Sequence, residues 1–263
     1  MSAPAIKVSG LRYAIGTTTI LDDVSFTVDA GQYLSIIGPN GAGKTSLIRC
    51  INRLARAQSG RIDIFGQPLS SYSQRDLAKV ISYVPQADAR YFPFTVYEFV
   101  LMGRYPHLSP FSSIGPEDRA KVDEALALTG ATEFADRSLQ TLSGGERQSV
   151  FIAAALTQGA RVLLLDEPTT FLDYKHQVEV LALLRKLNEQ QDITIVSVTH
   201  DVNSAALTSD RILALKKGRV AFDGTPDQLI EQGVLEKVYE TSFELVPRGD
   251  SDTPIVVPTG DDT

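Results

Sequence analysis

One stretch limits the fold more than any other: "GPNGAGKT" at 38–45, preceded by the apolar run "YLSII" and followed by a helix-forming run at 44–53. It satisfies the phosphate-loop pattern G-x-x-x-x-G-K-[ST] in the strand–loop–helix setting that gives the pattern its meaning. Gly38, Pro39, Asn40, Gly41, Ala42 and Gly43, with Lys44, Thr45 and Ser46 entering the helix, form a candidate phosphate cradle. Glycines let successive amides converge on phosphate oxygens, Lys44 adds a point charge that reaches the β and γ phosphates, and the Thr45 hydroxyl suits magnesium.

A second anion-binding signature follows. "LSGGERQ" at 142–148 stands just ahead of "SVFIAAAL", so Ser143 reads as a cap and Gly144 and Gly145 as the opening of a helix. One cradle suffices for one nucleotide, so the second needs its own explanation.

Between and around these stretches the pattern is that of an α/β chain. The first third alternates like β structure ("IKVSGLRYAI", "ILDDVSFTVD") and predicts a small antiparallel layer ahead of the core; after the loop and its helix, "GRIDIFG" reads as a further strand. "KVISYVP" is an apolar strand closed by Pro85. Helices are expected near 95–103, 116–130 and 132, with "MGRYPH" as a helix ended by Gly103 and then a loop, so that 87–150 reads as a helical insertion. From Ser143 onward helices alternate with the near-continuous apolar strands "RVLLLD", "ITIVSVTH" and "RILALKKG", the signature of a buried parallel sheet. "PDQLIEQGVLEKVYE" predicts one helix, and 241–263 a loosely held extension.

Carboxylates close the "RVLLLDEPT" strand. Asp166 and Glu167 sit where open α/β sheets bind ligands, at the carboxyl ends of strands. Beside a phosphate loop, Asp166 is expected to hold magnesium and Glu167 to polarise a water for in-line attack on the γ phosphorus. His200 ends the strand "ITIVSVTH" at the same edge and is expected to touch the γ phosphate or that water. Gln86 ends "ISYVPQ", where it suits magnesium and water and, on spacing alone, equally a polar loop. Tyr13 lies in an amphipathic strand, where an aromatic ordinarily packs. His107 and His176 show no metal-site spacing.

Composition matters for what it excludes. A net charge of −7 argues against broad attraction to nucleic acid, and the single cysteine, Cys50, excludes an intrachain disulfide and suits a reducing compartment. The start lacks a basic, apolar leader, and no run of about 18 apolar residues exists, so a cytoplasmic chain is expected and any membrane role calls for a partner.

Taken together, these residues resemble the ATP-binding cassette of ABC transporters, in the expected order over 6–239. "GPNGAGKT" resembles that family's Walker A motif, Gln86 its Q-loop glutamine, "LSGGERQ" its signature, "VLLLDEPT" its Walker B, "FLD" at 171–173 its D-loop with Asp173, and His200 its switch histidine. Tyr13 falls where the family stacks adenine. The resemblance implies an α/β fold, a RecA-like P-loop NTPase core with an N-terminal antiparallel β subdomain and an inserted helical subdomain, as one ATPase domain over 1–240. It also implies ATP and Mg²⁺ as ligands and a head-to-tail homodimer. There Ser143, Gly144 and Gly145 of one copy close over ATP held by the other's loop, which accounts for two cradles in one chain.

"TVYEFVLMGRYPH", the run from "VTHDVNSAAL" to "KKGRV", and "TPIVVP" resemble the ATPase subunits of importers for iron siderophores, haem or cobalamin. That implies transmembrane permease subunits as partners, an extracytoplasmic binding protein at one remove, no nucleic acid, and a place on the cytoplasmic face of the membrane. A groove near 86–107 would receive the permease. The sequence departs from the family at Glu146, often glutamine, at Ser149, often basic, and at Phe171 before Leu172 and Asp173. The rival expectation is an ABC-type ATPase in cofactor assembly or remodelling without transport; a phosphate-loop kinase leaves "LSGGERQ" unexplained.

Overall fold

The computed structural model describes residues 3–86, 92–109, 113–230, 233–249 and 251–259. Parts of the expected helical insertion (87–91 and 110–112) and of the expected C-terminal extension (250 and 260–263) lie outside the described residues. The chain forms two units, one from 1–71 with 194–263 and the other from 72–193.

The first unit opens with β1 (Ile6–Ile15), β2 (Thr18–Val28), β3 (Tyr33–Ile37), α1 (Lys44–Ile51), β4 (Ser59–Ile64) and β5 (Gln67–Pro68). Strands β2-β1-β4-β5 make the antiparallel layer anticipated from the period-2 alternation. Their apolar positions Ile6, Val8, Leu21, Val24 and Ile64 are buried. β3 is buried at every position, as a strand with both faces covered must be. Its buried Ser35 hydroxyl accepts from Ser209 Oγ at 2.5 Å.

The second unit contains α2 (Gln74–Ala78), β6 (Ile81–Val84), α3 (Val96–Leu101), α4 (Pro116–Leu128), α5 (Gly144–Thr157), β7 (Val162–Asp166) and α6 (Tyr174–Gln191). β6 and β7 pair in parallel, Val84 opposite Leu165. Thr95 caps α3 through a full capping box with Glu98. "MGRYPH" does not end a helix and become a loop; Met102–His107 is a 3₁₀ helix continuing from α3. The reason is tertiary: Arg104 is buried, donating to Asp118 at 2.9 Å and to the Thr157 carbonyl at the end of α5 at 3.0 Å, while His107 meets the Gln158 carbonyl at 2.8 Å. The Arg104 guanidinium thus satisfies an orphan carbonyl at that helix C-terminus and sits at its negative dipole end. Phe92, Phe99 and Phe151 cluster against α5, and the Arg147 guanidinium lies over the rings of Phe92 and Phe151.

The chain then re-enters the first unit as β8 (Thr194–Val198), α7 (Val202–Thr208), β9 (Arg211–Lys216), β10 (Arg219–Gly224), α8 (Pro226–Ile230), α9 (Val234–Tyr239), β11 (Ser242–Arg248) and β12 (Ser251–Thr259). β3 pairs in parallel with both β8 and β9, and β10 closes antiparallel on β9. Two expectations are corrected here. The single helix expected over 226–240 is two, with Gly233 at φ +92° starting the second. The extension is not loosely held either: β11 and β12 form a hairpin whose Val256 joins a buried cluster with Val202, Ala205, Leu229 and Leu235. The Asn203 side chain, on α7, accepts from the Val256 amide at 2.8 Å and donates to its carbonyl at 3.0 Å. Pro247, Pro254 and Pro258 disguise the hairpin in the sequence, yet a two-stranded ribbon has only edge strands and tolerates them.

Candidate active site

The first unit carries the phosphate loop. It leaves β3 after Ile37, and three glycines hold backbone that other residues adopt only under strain: Gly38 at φ +139°, Gly41 at +78° and Gly43 at +101°. At Gly38 a β-carbon would stand 2.1 Å from the Leu215 carbonyl oxygen, and at Gly43 2.9 Å from the Ile20 carbonyl oxygen, so backbone crowds a side chain out of both positions. Lys44 is 6% exposed, and its ammonium folds back onto the loop, donating to the carbonyls of Gly38 at 2.7 Å and Pro39 at 3.1 Å. No side chain caps α1, and its first turn holds no acidic residue. Its amide end is therefore suited to an anion.

The parallel register pairs Ile36 with Val198, so the loop and His200 each begin two residues beyond a matched pair, at one edge of the sheet. Thr199 donates its amide to the Ile36 carbonyl at 3.1 Å, tying the two strand ends together. Asp201 caps α7 by accepting from the amides of Asn203 and Ser204. His200 itself is exposed. Tyr13 is half-buried on β1 opposite Leu21. Tyr239, on α9, was not singled out from the sequence; its phenol lies by the Gly38 amide and is pushed up to about 12, chiefly by burial.

The second unit carries the carboxylates and the second cradle. The pairing of Val84 with Leu165 brings Gln86 and Asp166 to one strand edge. Asp166 is 4% exposed and accepts from Tyr83 Oη at 3.4 Å. Glu167 stands at φ +51°, a strained position for a residue with a β-carbon. Its Oε2 accepts from Gln86 Nε2 and from Thr170 Oγ1, both at 2.9 Å. Sequence reasoning missed Tyr83 and Thr170; the three-residue spacing from Glu167 was the available signal for the latter.

Ser143 caps α5. Its hydroxyl accepts from the Glu146 amide at 3.3 Å, and Glu146 Oε2 accepts from the Ser143 amide at 2.6 Å. That amide, then the Ser143 side chain and Arg137, hold the Glu146 carboxyl below its ordinary value. The acidic residue at 146 thus completes a capping box at a positive helix end, and Arg137, at 3.3 Å, offsets its charge. Asp173 caps α6 and accepts from the amide and ring of His176, which hold its carboxyl below the ordinary range. Phe171 and Tyr174, flanking this turn, are 82% and 88% exposed.

Each unit therefore presents oxygen donors and helix amides of the kind that bind phosphates and a hard divalent cation. The ABC transporter family model matches residues 21–170. The iron(3+)-hydroxamate import ATP-binding protein of Bacillus subtilis (strain 168) is 38% identical over 97% of this chain and 94% of its own. The hemin import ATP-binding protein of Streptomyces coelicolor is 41% identical over 95% and 88%. A dimeric ATP-binding cassette solved in a post-hydrolysis state with ADP and Pi superposes with a TM-score of 0.72 at 30% identity, over 84% of this chain and 98% of that one.

Proposed function

This chain belongs to the ABC transporter family and is an ATPase, and from that premise we propose that it powers the import of a metal chelate, a ferric siderophore or haem, through a partner permease. The observation that carries the cargo class is that relatives matched over nearly their whole length are import subunits for iron(3+)-hydroxamate and hemin. Among the described residues no helix is long and apolar enough to cross a membrane, so association with the membrane is assigned to the permease. Two copies of the ATPase act together, peripheral to the cytoplasmic face, with an extracytoplasmic binding protein delivering the chelate. An ATPase without a transporter is not favoured by relatives of this kind.

The division of labour follows from the side chains. Lys44 and the amides of the loop bind and orient the β and γ phosphates, with Tyr13 against the base. Thr45, Asp166 and Gln86 offer the oxygen-only set that magnesium prefers, and the ion would neutralise charge building on the phosphate oxygens. Glu167, aimed by Gln86 and Thr170, accepts the proton of the attacking water, and His200 steadies the γ phosphate. Ser143, Gly144 and Gly145 of the second copy close over the phosphates and exclude bulk water, with Asp173 at the junction. The exposed Phe171 and Tyr174 beside Asp173 support a contact with that copy. Hydrolysis removes the shared γ phosphate, so the pair opens and the permease changes state.

The test is uptake. Cells lacking this chain should lose ATP-dependent accumulation of labelled ferric siderophore or haem and regain it with the unmodified gene but not with Glu167→Gln. Undiminished uptake of both chelates by the deleted strain overturns the reading.

A further inference from the structure

The turn that carries Asp173 meets the glycines that open α5 most closely at one ring, that of His176. His176 Nδ1 lies 2.7 Å from Asp173 Oδ1, the same oxygen that accepts from the His176 amide at 3.0 Å. With that carboxylate ionised, Nδ1 is the donor and the ring is fixed in one orientation. In that orientation it lies flush against Gly145. A β-carbon built on Gly145 would stand 2.2 Å from His176 Cδ2 and 2.4 Å from Cγ. One built on Gly144 would be 3.3 Å from the Leu172 side chain. Gly145 is buried, whereas the His176 side chain is 29% exposed. Glycine at 145 is thus demanded by the imidazole beneath it, besides any demand from phosphate above.

We propose that His176 is a positioning residue, a spacer that locks the first turn of α5 to the 170–173 turn so that the phosphate-facing amides and Asp173 move as one body. This rests on the shared-site reading of the function. A rigid pair delivers both elements to the other copy's nucleotide at one spacing; without the ring, α5 can settle toward α6 or the turn can swing outward. A close contact between two stiff elements transmits displacement where a flexible side chain would absorb it.

The experiment uses the full chain with Glu167→Gln to trap dimers in Mg-ATP, and the unmodified catalytic background for turnover. His176→Ala should leave nucleotide affinity of the isolated copy within about twofold while lowering dimer affinity and turnover by about tenfold or more. His176→Asn, whose amide can replace Nδ1 on Asp173, should recover part of the loss. Gly145→Ala should be worse alone than combined with His176→Ala, because the double change removes the clash. Dimerisation and turnover of His176→Ala within about twofold of the parent overturn the proposal. So does a parallel fall in nucleotide affinity and melting temperature, the mark of mere destabilisation. A Glu167→Gln chain that stays monomeric in saturating Mg-ATP with His176 intact overturns the shared-site reading and this role together, and so is distinguishable from either result.

Discussion

Gln86 Nε2 donates to Glu167 Oε2 at 2.9 Å, joining residues 81 positions apart at the ends of two paired strands. The glutamine that links the strand end to the helical segment beyond it therefore also aims the carboxylate. A displacement passed along that segment would reach the carboxylate through one hydrogen bond.

Glu167→Gln keeps the shape and removes the proton acceptor. Turnover should fall about 10²-fold or more, with ATP binding retained, as phosphate release and nucleotide titration would show. Near-normal release would remove Glu167 from its role.

Thr170→Val removes the second donor to the same carboxylate oxygen while keeping side-chain volume. Loss of one hydrogen bond to a charged group that still has Gln86 should lower kcat by about 3- to 10-fold, with KM for ATP little changed. Steady-state kinetics decide it.

Lys44 donates to two loop carbonyls and is nearly buried, so its truncation costs the loop both its cation and an internal tie. A charge-assisted hydrogen bond contributes about 1.5–3 kcal/mol, so Lys44→Ala should raise the dissociation constant for ATP about 10- to 150-fold. Isothermal titration gives the number.

Asn203 holds β12 by its Val256 amide and carbonyl. Asn203→Ala leaves both groups without that partner at a half-buried place and should destabilise the first unit by about 1–3 kcal/mol. Amide exchange at 254–257 should rise before global unfolding, and an unchanged exchange rate there would contradict the clamp.

Asp118 is held below its ordinary carboxylate value by the Gly115 amide and then by Arg104, to which it is paired at 2.9 Å. Because its pKa is lowered by folding, the stability it contributes is whole above the unfolded value near 3.8 and is lost as pH falls below that through the depressed value. Denaturant melts at pH 6 and pH 3 should therefore differ less for Asp118→Asn than for the parent chain, and the pair should matter little to the slope above pH 6.

Much of this was legible in the chain because it depends on near neighbours. The loop at 38–45, the cap Ser143, and the apolar strands that lead to Asp166 and His200 follow from spacings of a few residues, within which backbone and side chain must find each other. Distant meetings were not legible. That Gln86 aims Glu167, that Arg104 turns "MGRYPH" into a 3₁₀ helix on the end of α5, that Asn203 makes a packed hairpin of a proline-broken tail, and that His176 occupies the space Gly145 leaves depend on strand register and helix packing. Sequence determined which residues could bind phosphate; only the fold decided which side chains hold them in place, because that requires partners far apart in the chain to arrive at hydrogen-bond and van der Waals distance.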